Sequence, residues 1–114
     1  MPPKQNPLKL NPLQLRTLAL FQEIARHPQL STTDAVTGEV AIMQIPHPHG
    51  DHFHVGGQLV MARDATGLSN PSVWVALERK GLAYGRFPNS IMLSALGVSY
   101  ETGVESEIFH GSDH

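Results

Sequence analysis

Two Asn-Pro pairs, Asn11-Pro12 and Asn70-Pro71, constrain the fold of this chain more than any other feature. Each places a strong N-cap before a proline, whose fixed φ suits the first helical position and which has no N–H to lose there. After the first pair, Gln14 stands at the capping-box spacing from Asn11. Leu15, Leu18, Ala19, Phe21, Ile24 and Ala25 then recur at helical spacing, with Leu20 beside them, and Pro28 ends the run. This predicts a helix over 12–26. After the second pair, Val73, Ala76, Leu77 and Lys80 share one stripe and Gly81 provides the stop, which predicts a helix over 71–80.

Between and beyond these helices, nine prolines and ten glycines in 114 residues leave room only for short elements. Residues 1–10 read as a flexible or draped arm, and 29–38 as polar turn. The nearly continuous apolar run 39–45 reads as a strand buried on both faces. Pro46, Pro48 and Gly50 break the chain after it. From His52 the pattern alternates, with His52 and His54 on one side and Phe53 and Val55 on the other. That reads as the return strand of a hairpin, with Gly56-Gly57 marking a bulge or bend. Residues 59–62 fit a strand or a helix start equally well. Residues 84–87 and 90–94 form a hairpin around Pro88-Asn89, 95–102 a short helix ended by Gly103, and 104–114 a loosely held acidic tail. The sum is an α+β domain over 11–103.

Composition removes several function classes. There is no cysteine, hence no disulfide, thiolate zinc site or cysteine nucleophile. No apolar run reaches the ~20 residues that span a bilayer, and the first residues lack a secretion-signal apolar run. The expectation is a cytoplasmic protein without a membrane partner. Eight Lys+Arg against ten Asp+Glu give a net charge of −2, which advertises no basic patch. No Gly-x-Ser-x-Gly elbow, phosphate-cradling loop or dinucleotide fingerprint occurs, so the expected role is non-catalytic.

The segment His47-Pro48-His49-Gly50-Asp51-His52-Phe53-His54 holds four of the seven histidines. Its His-x-His-x-Asp-His spacing resembles the metal motif of the metallo-β-lactamase superfamily. The resemblance implies that His47 and His49 bind one metal and Asp51 and His52 a second, the pair activating a bridging hydroxide. That fold needs about twice this length, against a usual domain mode of ~100–150 residues. It also takes ligands from later strands, whereas only His110 and His114 follow His54. Two plainer readings stand beside it. One is an imidazole and carboxylate site for Zn²⁺, Ni²⁺ or Fe²⁺, zinc foremost, built from His47, His49, Asp51, His52 and His54. The other is an exposed hairpin that tolerates histidine.

The longest resemblance is to winged helix-turn-helix domains. It rests on the 12–26 helix, on Ala65-Thr66-Gly67-Leu68-Ser69-Asn70-Pro71-Ser72-Val73-Trp74-Val75-Ala76-Leu77-Glu78-Arg79-Lys80-Gly81-Leu82, and on Ile91-Met92-Leu93-Ser94-Ala95-Leu96-Gly97. One departure is Arg63, where that family packs a small residue. The resemblance implies that the 71–80 helix enters a DNA major groove. Asn70, Ser72 and Arg79 would then read bases beside Glu78, while Arg86, with Lys80 and Arg63, would meet phosphates. The rival reading is a protein-interaction module docking through Trp74, Val75 and Phe87. A homodimer is expected in either case.

Overall fold

The computed structural model describes residues 6–46 and 50–111. The first Asn-Pro pair opens α1, Pro12–Ala25, with both halves of the capping box formed. Asn11 Oδ1 accepts from the Gln14 N–H at 2.8 Å, and Gln14 Oε1 from the Asn11 N–H at 3.0 Å. Nearly the whole of α1 from Leu15 to Ile24 is buried, so this helix is the axis on which the other elements pack.

Two antiparallel sheets flank it, making an α+β domain. The first contains β1 (Ser31–Thr33), β2 (Val40–Ile42), β5 (Ala83–Arg86) and β6 (Ser90–Leu93), in the order β1-β2-β6-β5. The second contains β3 (His52–Val55), β4 (Gln58–Met61) and β7 (His110–Gly111), in the order β3-β4-β7. Two 3₁₀ turns, Ala62–Asp64 and Thr66–Ser69, carry the chain from β4 to α2, Pro71–Arg79. Two short helices, α3 (Ala95–Ser99) and α4 (Glu105–Ile108), complete the chain.

The second Asn-Pro start also forms as the sequence predicts. Asn70 Oδ1 accepts from the Ser72 N–H at 2.9 Å, and Gly81 closes the helix at φ +77°. Val73 and Leu77 are buried against α1. The β5–β6 hairpin forms around the Pro88-Asn89 turn, with a cis peptide at Phe87-Pro88.

Five expectations are corrected. The 39–45 run is not buried on both faces: Val40 and Ile42 face the core, Ala41 is half-buried and Met43 is 63% exposed. The strand at His52 does not return along β2. It pairs with β4, from His52↔Met61 to Val55↔Gln58, so Gly56-Gly57 is the hairpin turn and not a bulge. Gly56 has φ +59°, open to glycine at little cost, and the His27 ring packs where a Cβ would stand. The supposed polar turn 29–38 contains β1, an edge strand paired from Ser31↔Ile42 to Thr33↔Val40. The acidic tail is anchored over 104–111, because Val104 and Ile108 are buried and β7 pairs with β4 through Leu59↔His110. Finally, Trp74 belongs to the core and not to an open docking face.

The arm drapes over the domain from Asn6 onward. Leu10 is buried, and Asn6 Oδ1 accepts from the Leu10 N–H and the Tyr100 hydroxyl. Residues 1–5, 47–49 and 112–114 lie outside the described residues.

Candidate functional site

The helix α2 sorts its side chains cleanly. Its inner face holds Val73, Trp74 and Leu77. The Trp74 indole N–H donates to the Leu68 carbonyl at 3.2 Å, and its ring meets Phe21 and Phe87 edge-on, with centroids 5.6 and 5.0 Å apart. Trp74 is therefore the pin between α1, the 3₁₀ turn and the β5–β6 hairpin. Trp74 is buried, with only an edge at the floor of a small pocket, while Phe87 is 38% exposed and covers it from outside.

The outer face of α2 is a stripe at i, i+3, i+4 and i+7: Ser72, Val75, Ala76 and Arg79. With Pro71 these residues line an open depression of about 340 Å³. Val75 is 52% exposed at the middle of this stripe, so the core does not use it. Arg79 forms no ion pair among the described residues. Asn70 stands at the helix start, with its Oδ1 committed to the cap. Lys80 turns away and donates from Nζ to the Leu8 carbonyl at 2.9 Å.

Arg86 lies elsewhere. It lines a separate depression of about 450 Å³ with Glu78, Tyr84, Ala41, Met43 and Met92 on the outer surface of the first sheet. The two arginines singled out in the sequence thus serve two surfaces. Tyr84 donates its hydroxyl to Glu39 at 3.3 and 3.4 Å. Desolvation against the sheet, then the Glu39 carboxylate, pushes the Tyr84 phenol above its ordinary range. Sequence reasoning missed this surface, although the apolar surplus in 39–45 was its signal.

In the histidine hairpin, alternation holds: Phe53 and Val55 are buried, while His52 and His54 share the outer face, rings edge-on with centroids 5.6 Å apart. Asp51 Oδ1 lies 3.1 Å from His52 Nδ1, and this hydrogen bond holds the Asp51 carboxyl below its usual range. These residues offer two imidazoles and one carboxylate, but among the described residues no three such groups converge as a metal would require. His47 and His49 lie outside the described residues. His54 also borders a cleft of about 530 Å³ with Gln44, Ile45, Pro88 and Asn89.

No protein-family model, curated protein or solved structure matches the chain. Among the described residues, no helix is long and apolar enough to cross a membrane.

Proposed function

We propose that the chain is a small, non-catalytic, winged-helix-like module that binds duplex DNA through the outer stripe of α2. The observation that carries this reading is α2 itself. It is capped, pinned to the core by Trp74, and turns Ser72, Val75, Ala76 and Arg79 outward. The connectivity supports it once β1 and the β3–β4 hairpin are counted as additions: α1, β2, the two 3₁₀ turns, α2 and the β5–β6 hairpin follow in that order, and β6 pairs with β2. Two 3₁₀ turns stand where a winged helix-turn-helix has its middle helix. Arg63 is exposed there, so no small residue is needed at its position.

The stripe's chemistry suits a mixed readout. Ser72 and Arg79 supply hydrogen-bond donors to base edges or phosphates, and Val75 and Ala76 supply the apolar contact that recognises a thymine methyl. A cytoplasmic setting accords with the absence of cysteine.

The test is fluorescence anisotropy with duplex DNA across a salt series. Binding should weaken linearly in log–log form, with a slope near −0.9 per phosphate contacted. Arg79→Ala should weaken binding and flatten that slope, and replacing thymine by uracil should weaken the parent but not Val75→Ala. Binding that ignores salt, or no binding to any duplex, refutes the reading. In that event the exposed Val75 and Phe87 favour a protein partner docked along the same helix.

A further inference from the structure

The outer face of the first sheet is set by its register. Thr32 pairs with Ala41, Ala41 with Met92, and Met92 with Tyr84, so these four side chains form one row on one face. The rows on either side of it point inward, and Val40, Ile42, Leu93, Ala83 and Ile91 are buried in the core. A sheet needs only one face covered, and an antiparallel sheet usually makes the other polar. Here the outer face carries Ala41, Met43, Met92 and Tyr84, with Met43 63% and Tyr84 45% exposed.

Charge frames this row asymmetrically. Glu39 precedes β2 at the end of the face where β6 finishes, and the Tyr84 hydroxyl reaches it across the sheet. Arg86 pairs with Ser90 at the opposite end, on the strand at the other side of β6. The carboxylate and the guanidinium are therefore diagonal corners, with Met92 between them. Neither forms an ion pair among the described residues.

We propose that this face is the interface between two copies of the chain, related by a twofold axis parallel to the sheet, over Met92 and perpendicular to the Glu39–Arg86 diagonal. Such an axis exchanges the diagonal corners, so Glu39 of each copy meets Arg86 of the other while the methionines meet at the centre. An isologous contact requires a self-complementary patch of this kind: apolar in the middle, opposite charges exchanged by the rotation. A face four strands wide, at ~4.8 Å between strands, is small beside the ~800 Å² per partner of a standard interface. The dimer should therefore dissociate on dilution. Glu39, Met92 and Arg86 lie off the α2 stripe, whose Val75 borders the face beside Tyr84, so association is read in the absence of DNA.

Sedimentation velocity of the full chain over a hundredfold dilution tests it. The parent should move from dimer to monomer within that range, and Met92→Glu should be monomeric throughout, with circular dichroism and melting confirming that it folds. Glu39→Arg and Arg86→Glu should each weaken association at least tenfold, and the double charge swap should restore it. A parent monomeric at every concentration overturns the proposal, as does a dimer that survives Met92→Glu. Single-variant losses that merely add in the double swap overturn the diagonal pairing.

Discussion

Gly67 offers the sharpest test of how this fold holds α2 in place. It lies in the second 3₁₀ turn, three residues before the Asn70 cap, and the turn rests directly on α1. A Cβ at this position would stand 1.8 Å from Thr17 Oγ1 and 3.0 Å from Thr17 Cβ. Thr17 cannot simply step aside. It is fully buried, and its hydroxyl donates to the Leu13 carbonyl at 2.8 Å. The φ of Gly67 is not in the left-handed region, so alanine meets no backbone penalty and the cost is one of packing alone.

The magnitude follows from three contributions. Overpacking a filled site costs about 1–3 kcal/mol. Rotating the Thr17 hydroxyl off Leu13 forfeits about 0.5–1.5 kcal/mol more. Against these, replacing glycine by alanine stiffens the unfolded chain and returns about 0.4–1 kcal/mol. Gly67→Ala should therefore destabilise by about 2 kcal/mol, read as a lower urea midpoint at unchanged slope. Thr17→Ala, which removes the clashing oxygen, should cost about 1 kcal/mol alone through its lost hydrogen bond. The double variant should be little worse than Thr17→Ala, a coupling above about 1 kcal/mol. Additive losses, or a Gly67→Ala protein as stable as the parent, would refute the packing argument.

Three further outcomes follow. Leu77 is fully buried, so Leu77→Ala should cost about 2–5 kcal/mol in urea unfolding, and a loss below 1 kcal/mol would place it outside the core. Trp74 is the one tryptophan, so fluorescence reports it alone. Its emission should be blue-shifted when folded, and Trp74→Phe should cost about 1–3 kcal/mol because the Leu68 carbonyl loses its donor. Asp51 has a lowered folded pKa, so its bond to His52 adds stability above the unfolded value and loses it as pH falls through the folded one. Carboxyl NMR titration should find its midpoint depressed in the parent and raised in His52→Ala, where only the backbone hydrogen bond still lowers it.

What the sequence disclosed and what it hid divide along a physical line. Helix starts are local: Asn11-Pro12 and Asn70-Pro71 carry their own cap and φ, so α1 and α2 were legible from a few residues. The alternation of His52 to Val55 is equally local and gave the correct faces. Strand partners are not local. Nothing in 39–55 alone says that β2 pairs with β6, some fifty residues on, and β3 with β4. Trp74 was misread for the same reason. The stripe drawn through Val73 and Leu77 leaves it on the flank, and only Leu68, Phe21 and Phe87, from three other segments, enclose it.

The uncovered sheet row and the low charge are two aspects of one property. Charged residues make up 16% of the chain, well below the usual quarter, so positions that a typical surface gives to lysine or glutamate must hold something else. On the first sheet they hold Ala41, Met43, Met92 and Tyr84, and on α2 they hold Val75 and Ala76. Scattered apolar residues on a surface need no explanation, but these are ordered by strand register and helix period into two patches that meet where Val75 and Tyr84 line one small pocket. Each patch has an arginine beside it, Arg86 at one and Arg79 at the other, and neither arginine forms an ion pair among the described residues. A chain that spares its charges for the margins of apolar patches has a surface whose chemistry suits association more than solvation.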